Sequence, residues 1–354
     1  MDRREATFPS ALAGVAEQVE ARILRLLDAE TARWSAVDPV LVEPLDELRA
    51  LVVAGGKRLR PAFCHCAFVG SGGTGGAQAV IDAAAALELV HTFALVHDDV
   101  MDGSDTRRGR DAVHRHFTVR HTTEGWRGEA RRFGEGMAIL VGDFAFVYAD
   151  TLVRGAREPV LEIFDQLRIE LCVGQSLDLA TTATASTEPA AARRIARYKS
   201  AKYTVERPLH LGAALAGRLP ELEAQLSDIG LPLGEAFQLR DDVLGAFGEA
   251  DVTGKPVGDD LREGKATPLV ALAAARAEAS DRPLLGRLGA TDLRPDEVAA
   301  LQDLFVRTGA LKEVEHEIER LVTQTHRALD RATITPEARD LLGQLADYVA
   351  WRDH

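Results

Sequence analysis

The segment from Ala83 to Val96 constrains the fold more than any other part of the chain. It consists almost entirely of apolar residues and strong helix formers, which predicts a buried helix. Three polar residues interrupt it: Glu88, His91 and Thr92. Asp98, Asp99 and Asp102 follow directly, so this helix must end in a group of acids. Since Asp98 and Asp102 are four residues apart, their carboxylates share one helical face and need a cation between them, for which Mg²⁺ is suited.

A second acidic group ends another apolar stretch further along the chain. Here Asp241 and Asp242 are preceded by Gln238, which lies one helical turn before Asp241. Cationic residues follow each acidic group: Arg107 and Arg108 after the first, Lys255 and Lys265 after the second. One such group could be a solvated helix end. Two groups with the same order of features predict carboxylates that face one another across a cavity.

A glycine-rich box precedes both acidic groups and reads Gly55-Gly56-Lys57-Arg58-Leu59-Arg60-Pro61. With this box and the two acidic motifs in order, the chain resembles the trans-isoprenyl diphosphate synthases, the polyprenyl synthetase family, from about residue 45 to about residue 275. The first acidic motif reads Asp98-Asp99-x-x-Asp102 and the second Asp241-Asp242-x-x-Gly245. Gly245 replaces the third acid of the family pattern, and the chain lacks a basic C-terminal tail that could close over the site.

The resemblance implies an all-α fold, a single-domain antiparallel helical bundle around a central cavity, known as the isoprenoid synthase fold. We expect residues 11–354 to form this domain after a flexible tail over residues 1–10. The implied activity is a prenyl transfer that elongates an allylic diphosphate (dimethylallyl, geranyl or farnesyl) with isopentenyl diphosphate. The implied assembly is a homodimer, and the implied cofactor is Mg²⁺, with three ions per active site.

The resemblance also assigns roles to individual residues of this sequence. Metal ligands are Asp98, Asp102 and Asp241, with Asp99 and Asp242 completing or orienting the shell. The allylic diphosphate is clamped by Arg107, Lys199, Lys255 and Lys265. Isopentenyl diphosphate is held by Gly56, Lys57, Arg60, His91 and Arg108. Ser200 and Gln238 face the carbocation. Released diphosphate is the implied proton acceptor, so no protein base is assigned. Gln175 and Asp178 match family positions too, although an intrahelical hydrogen bond would explain their spacing equally well.

Product length is predicted from the helix that carries Asp98. A growing chain would extend along this helix, past Ala94 and Phe93. In the family, bulk at the Phe93 position closes the tunnel floor, whereas Ala94 leaves the path open. One large residue rather than two favours a C20 product, geranylgeranyl diphosphate, over the C15 farnesyl product. A longer product remains the alternative, and packing of Phe93 in the core would remove this assignment.

Composition and charge limit the possible partners. The formal net charge of −13 and the lack of a long basic run argue against nucleic acid. The chain contains no uncharged apolar run of about 18 residues, so no membrane span is expected. The three cysteines Cys64, Cys66 and Cys172 form no disulfide framework, and Cys64 and Cys66 are expected to be buried rather than metal-bound. A cytoplasmic location follows.

Secondary structure was predicted from apolar spacing. Helices are expected over 11–34, 38–53, 136–153 and 160–179, and Thr267 should cap a helix that starts at Pro268. The polar segment 110–135 is predicted to be an exposed loop. The glycine run 70–76 matches the G-x-G-x-x-G fingerprint of dinucleotide-binding proteins, but no strand pattern precedes it. It is therefore predicted to connect two helices.

Two other functions are compatible with part of the pattern. A class I terpene cyclase also carries an aspartate-rich motif, but it lacks the Gly55–Pro61 box and has a different second motif. A non-catalytic subunit that regulates another synthase would usually have lost one acidic motif, whereas both are present here. Incubation with isopentenyl diphosphate, Mg²⁺ and each allylic starter would separate these functions.

Overall fold

A computed structural model describes residues 7–74, 77–184, 188–248, 258–290 and 292–352. The chain is 81% helical, which confirms the predicted all-α class. Within the described residues the only sheet is a hairpin of two short antiparallel strands, β1 (Thr106–Arg107) and β2 (Arg110–Asp111). Thr106 lies opposite Asp111 in this hairpin. It follows the first acidic motif directly.

The chain divides into two compact units. The N-terminal unit contains Ser10–His65 and Thr74–Leu161. Its helices are α1 (Ala13–Ser35), α2 (Val42–Val53), α4 (Gln78–Asp102), α5 (Val113–Thr123) and α6 (Ala130–Val153), together with the first parts of α3 (Leu59–Gly70) and α7 (Glu158–Ala183). Short 3₁₀ turns precede α1 and α2, at Ser10–Leu12 and Pro39–Leu41. The predicted helices over 11–34 and 38–53 are confirmed.

The C-terminal unit contains Met1–Pro9, Cys66–Gly73 and Glu162–His354. After most of α7 come α8 (Pro189–Ile195), a π-helical segment (Ala196–Glu206), α9 (Arg207–Leu215) and α10 (Leu219–Phe247). The remaining helices are α11 (Asp259–Glu263), α12 (Pro268–Arg276), α13 (Arg282–Leu285), α14 (Pro295–Arg307), α15 (Ala310–Arg331) and α16 (Pro336–Trp351), with a 3₁₀ turn at Ala279–Asp281. The prediction of one domain stays a prediction. Within the predicted tail, Phe8 packs edge-on against Tyr348, with ring centroids 5.7 Å apart.

Helix α4 is the central helix of the N-terminal unit. Every residue from Ala83 to Val90 is buried, and α4 packs against both α1 and α6. A helix that is apolar on all sides is stable only when it is covered in this way. Gly103 ends α4 in the left-handed conformation, with φ of 68°, which glycine adopts without steric cost. The acidic motif is thereby held in the last turn of a rigid helix.

The predicted loop over 110–135 is wrong. The structure has α5 in the middle of this segment, and α6 begins at Ala130. Val113, Phe117 and His121 recur every four residues and are buried, so α5 has an apolar face. His121 belongs to this face because its Nε2 atom pairs with the Arg127 carbonyl oxygen at 3.1 Å. Counting histidine as polar concealed the periodicity.

Other local predictions are confirmed. Thr267 caps α12 by accepting a hydrogen bond from the Val270 N–H at 3.2 Å. The glycine run lies between α3 and α4 with no strand before it, although Gly75 and Gly76 lie outside the described residues. Cys64 and Cys66 are buried, and burial raises the pKa of the Cys66 thiol to about 12. The expected burial of both cysteines is confirmed.

Two helices, α4 and α6, are long and apolar enough to cross a membrane by length and composition alone. Core helices pass the same test when they are covered by other helices. The apolar window of α4 is 67% buried and that of α6 is 44% buried. Part of the apolar surface of both helices is therefore buried by packing inside the N-terminal unit.

Candidate active site

The glycine-rich box forms a turn with an unusual backbone. Gly55 and Gly56 have φ values of 92° and 133°, and Arg58 has a φ of 49°. Glycine accepts such angles freely, whereas at Arg58 the surrounding contacts must hold them. The buried Arg58 guanidinium lies 2.5 Å from Glu88 Oε1 and donates to the Val52 carbonyl oxygen. These bonds fix the turn that carries the exposed Lys57.

Arg58 and Glu88 form a buried ion pair that the sequence analysis did not assign. Each side chain is only 3% exposed. Glu88 was visible as a charged residue inside an apolar helix, and such a residue generally needs a partner. That signal could have indicated the pair, but not which of the neighbouring cations completes it.

Arginines surround His91 in the N-terminal unit. Burial lowers the pKa of His91 well below its ordinary value, and the charges of Arg60, Arg108, Arg58 and Arg107 lower it further. A neutral imidazole is therefore surrounded by guanidinium groups. Such a cluster matches a ligand with several negative charges, and it includes three residues predicted to hold isopentenyl diphosphate: Arg60, His91 and Arg108.

Gly56 also belongs to this cluster. A Cβ atom at Gly56 would lie 3.1 Å from Arg108 Nη2, so a larger residue would displace the guanidinium. Arg108 donates to the Leu51 carbonyl oxygen at 2.8 Å, which fixes its position. Burial is the main cause that lowers the pKa of Arg108. The structure thus places Gly56, Arg60, His91 and Arg108 in one neighbourhood, next to the turn carrying Lys57.

The three acids of the first motif differ in environment. Asp99 is buried and accepts from Arg107 Nε at 2.9 Å. Asp98 and Asp102 are half-buried and lie one turn apart at the end of α4. Arg107, predicted to clamp the allylic diphosphate, is therefore anchored by Asp99. Asp99 thus holds the Arg107 guanidinium next to the first motif.

Phe93 lies on the same helix. Its ring centroid is 4.6 Å from that of His97 and 4.7 Å from that of Phe146 on α6. Both Phe93 and Ala94 are half-buried. The contact with Phe146 is compatible with core packing and with a tunnel floor. The chain-length assignment stays a prediction.

Lys199 lies on the π-helical segment of the C-terminal unit. Its Nζ atom is 2.6 Å from Asp178 Oδ2 on α7. The Asp178 carboxylate thus pairs with a predicted site lysine on another element. Of the two interpretations of the Gln175 and Asp178 spacing, this contact favours a site role for Asp178.

A chain of hydrogen bonds joins Ser200 to the second acidic motif. The Ser200 hydroxyl donates to Gln238 Oε1, and Gln238 Nε2 donates to Asp242 Oδ1 at 2.7 Å. Burial raises the pKa of Asp242 well above its ordinary value, against the opposing hydrogen bond from Gln238. In the part of the chain that is described, the buried Asp242 Oδ2 has no hydrogen-bond partner. A buried carboxylate oxygen of this kind gains from a nearby cation.

Asp241 pairs with Arg352 near the C-terminus. Arg352 is only 6% exposed. Its guanidinium donates to the Asp241 carboxylate and lies 4.3 Å from the Phe237 ring centroid. Arg352 is not among the predicted site residues, because a single arginine does not form a basic tail. Arg352, at the end of the described residues, therefore contacts the second motif.

Gly245 stands where the family has a third acid. A neighbouring carboxylate occupies the space that the side chain of such an acid would need. A Cβ atom at this position would overlap Asp260 Oδ2, so the Asp260 carboxylate fills the space. Lys265 Nζ lies 3.1 Å from Asp260 Oδ1 and 2.5 Å from Glu263 Oε2. An acid from α11 is thus next to α10 where the motif has none. Lys255 lies outside the described residues.

The predicted metal ligands have suitable chemistry for Mg²⁺. They offer carboxylate oxygens, which hard divalent cations prefer, and Asp242 Oδ2 is a buried oxygen that a cation would satisfy. Across the described ranges no group of three or more His, Cys, Asp or Glu side chains is arranged as a complete metal site. The carboxylate donors fit Mg²⁺, a hard cation that is usually bound by one or two carboxylates together with substrate phosphates.

An all-helical chain with two acid-ended helices and clustered guanidinium groups defines a class: enzymes that bind anionic substrates with hard cations. The family model of polyprenyl synthetase matches residues 42–305. The chain therefore belongs to the polyprenyl synthetase family, and it is a prenyltransferase. It has the all-α isoprenoid synthase fold, as the sequence analysis predicted.

Relatives and solved structures agree with this placement. A short chain isoprenyl diphosphate synthase of Methanothermobacter thermautotrophicus is 34% identical over 326 residues, covering 88% of this chain and 92% of that protein. A geranylfarnesyl diphosphate synthase of Aeropyrum pernix is 31% identical and covers 85% and 92%. The crystal structure of a Corynebacterium glutamicum geranylgeranyl pyrophosphate synthase, complexed with isoprenyl diphosphate and magnesium, matches with a TM-score of 0.91 at 37% identity. That match covers 96% of this chain and 99% of the other.

Proposed function

We propose that this prenyltransferase joins isopentenyl diphosphate to an allylic diphosphate, with Mg²⁺, and releases geranylgeranyl diphosphate. The observation that carries the proposal is the arginine cluster around the neutral His91, on a protein whose formal net charge is −13. A concentrated cationic pocket on an acidic protein is suited to a diphosphate. Relatives of similar identity are named for isoprenyl diphosphate products of different lengths.

Isopentenyl diphosphate would occupy the arginine cluster. Its diphosphate must stay attached during the reaction, so it needs a cationic pocket that does not activate it as a leaving group. Lys57, Arg60 and Arg108 would bind its oxygens, while Gly56 leaves space for Arg108. His91 would donate a hydrogen bond as a neutral ring, since its pKa is well below neutral pH.

The allylic diphosphate would be bound by cations that include those following the two acidic motifs. Arg107, Lys199, Lys255 and Lys265 would bind it, the first held by Asp99 and the second by Asp178. When its carbon–oxygen bond breaks, a carbocation remains. The Ser200 and Gln238 oxygens would face this cation, and their mutual hydrogen bond holds both side chains in place.

Asp98, Asp102 and Asp241 would hold the metal, with three Mg²⁺ ions per active site. Mg²⁺ supplies positive charge to the departing diphosphate oxygens. Asp241 is half-exposed and already pairs with a cation, Arg352, so the arginine must give way or share the carboxylate when metal binds. Asp242 would keep the Gln238 side chain in place, since it accepts a hydrogen bond from Gln238 Nε2.

Replacement of Lys57 tests the two-pocket assignment. In Lys57→Ala we expect the KM for isopentenyl diphosphate to rise by about tenfold and the KM for the allylic substrate to stay within about twofold. Lys312→Ala, another exposed lysine, is the matched control and should change neither value. Equal increases in both KM values would contradict the assignment. Absence of turnover in the wild-type chain with every allylic starter would favour the regulatory-subunit alternative.

A homodimer in the cytoplasm completes the proposal. Helix α6 exposes three large apolar side chains, Ile139, Leu140 and Val147, which are 45%, 52% and 55% exposed. An apolar strip on one helix suits contact with a second copy of the chain. Light scattering on the purified chain gives the mass directly, and Leu140→Asp should lower it to that of a monomer.

A further inference from the structure

One face of α7 lies along the π-helical segment in the C-terminal unit. Glu170, Gly174 and Asp178 recur every four residues, so they share this face. Lys202 Nζ lies 3.0 Å from Glu170, and Lys199 Nζ lies 2.6 Å from Asp178. Between these two ion pairs, a Cβ atom on Gly174 would overlap the Lys199 backbone. The segment therefore packs tightly on α7 over two helical turns.

One face of α10 packs on the same segment. This face carries Ser227, Gly230, Gly234 and Gln238. Ser227 donates to Glu206 at 2.8 Å, and a Cβ atom on Gly230 would lie 2.7 Å from the Glu206 Cα. A Cβ atom on Gly234 would likewise overlap the Ala201 backbone, and Gln238 accepts a hydrogen bond from Ser200. Close backbone approach and side-chain bonds thus fix the segment from two helices.

Four charged side chains link these elements at the end opposite Lys199. Glu170 accepts from Arg207 at 2.7 and 2.8 Å, and Lys202 also lies 3.1 Å from Glu206. Glu170 and Glu206 are only 5% and 4% exposed. Buried ion pairs add little net stability compared with apolar side chains of similar size. These ion pairs instead favour one alignment of the π-helical segment, because each pair forms only in that alignment.

The backbone of the segment depends on such an alignment. Ala196–Glu206 is π-helical, and π-helical turns are rare, poorly stable by themselves and frequent at functional sites. Wider turns change the direction of each side chain relative to an α-helix. Lys199 and Ser200 therefore point to Asp178 and Gln238 only while the segment keeps this form.

Building on the proposed function, we propose that Glu170 is a positioning residue for the allylic diphosphate. Through Lys202 and Arg207 it holds the π-helical segment in the alignment that directs the Lys199 ammonium and the Ser200 hydroxyl to the substrate. Glu170 itself need not touch the substrate. Its loss should weaken allylic diphosphate binding and leave the isopentenyl diphosphate pocket, which lies in other segments of the chain, unchanged.

Kinetics with each substrate varied separately test this role in the full chain. We expect Glu170→Gln to raise the KM for the allylic substrate by about tenfold, with the KM for isopentenyl diphosphate within about twofold. Lys202→Met should show the same pattern, and Lys202→Arg, which keeps the charge, should stay near the wild type. Asp281→Asn is the matched control, because it breaks another ion pair of this unit, 2.7 Å from Arg307, on elements without a predicted site residue.

Calorimetry of inorganic diphosphate binding in the presence of Mg²⁺ compares the same variants without turnover. Its Kd should rise by about tenfold in Glu170→Gln and stay unchanged in Asp281→Asn. If Glu170→Gln and Asp281→Asn lower Tm alike and neither changes this Kd or the allylic KM, Glu170 is only structural and the proposal is wrong. If the wild-type chain elongates no allylic diphosphate, the proposed function fails, while the Kd comparison still decides the positioning role.

Discussion

At the scale of single residues, the acids of the two motifs have different environments. Asp98 is half-buried beside Asp102, whereas Asp241 pairs with the buried Arg352. Neutralising Asp241 removes the counter-ion of a buried guanidinium. The proposed metal ligand Asp241 should therefore also contribute to stability.

We expect Asp98→Ala and Asp241→Ala to lower kcat by at least about 100-fold, because in the proposed function each removes a carboxylate that would hold a charge-stabilising metal. Asp241→Ala should also destabilise the chain by about 1–3 kcal/mol through the unpaired Arg352. Steady-state kinetics at saturating Mg²⁺ and thermal unfolding measure the two effects. Asp46→Ala, an exposed acid on α2, is the control. Near-normal rates in either variant would mean that the metal assignment is wrong.

Restoring the family's third acid should harm this chain rather than improve it. In Gly245→Asp the new side chain would overlap the Asp260 carboxylate and add negative charge beside the buried Asp242, at a cost of about 1–3 kcal/mol. The double variant Gly245→Asp with Asp260→Ala should recover most of this loss. Urea unfolding of both variants decides the matter. If the single variant is as stable as the wild type, Asp260 does not occupy this space.

At the scale of elements, α4 combines a structural role with the proposed chemical one. Its residues from Ala83 to Val90 are all buried, and its last turns carry His91, Phe93 and the acidic motif. Packing against α6 fixes both, since a Cβ atom on Gly142 of α6 would overlap the His97 ring. Phe93, one of the two predicted chain-length residues, lies on this same contact between α4 and α6.

Substitutions in α4 should change product length. Phe93→Ala should extend products beyond C20 by opening the space next to Phe146, and Ala94→Phe should shift them towards C15. Chromatography of the dephosphorylated products measures the chain length. Phe144→Ala is the matched control, since Phe144 stacks on Tyr148, 6.0 Å away, rather than on Phe93. An unchanged product in both test variants, with Phe93→Ala less stable by about 3–5 kcal/mol, would show that Phe93 is only a core residue.

At the scale of the whole molecule, an acidic chain concentrates cations at a few positions. The arginine cluster around His91 and the lysines next to the second motif stand out against a net charge of −13. Several cations of the chain have internal carboxylate partners, including Asp99, Asp178 and Glu170. Acid should weaken the fold by protonating Glu170, whose pKa is lowered by its partners.

Glu170 gives this effect a defined pH range. Burial alone would raise its pKa, but hydrogen bonds from Arg207, Lys202 and Gln166 outweigh burial and lower the pKa to about 2. Since the unfolded pKa is about 4.3, the stabilisation is fully present above that pH and is lost as the pH falls towards 2. We expect the free energy of unfolding to fall less steeply over this range in Glu170→Gln than in the wild type. Glu313→Gln, an exposed acid, is the control, and identical slopes in all three proteins would contradict the assignment.

The sequence by itself determined most of the helices and supplied the residues proposed to carry the chemistry. Apolar spacing defined α1, α2 and α4, and the composition of the two acidic motifs and the Gly55–Pro61 box indicated diphosphate and metal binding. These features are local, because helix formation and motif chemistry depend on neighbours within a few residues. Helix α5, which it missed, has a histidine on its buried face.

Only the tertiary structure decided which charged groups pair. Arg58 pairs with Glu88, 30 residues away, and Arg352 with Asp241, 111 residues away. Such pairs have no periodic signal in the sequence, since their energy depends on burial and on geometry set by the packing of other elements. The π-helical form of 196–206 likewise results from contacts with α7 and α10, because propensity along the chain favours an ordinary helix there.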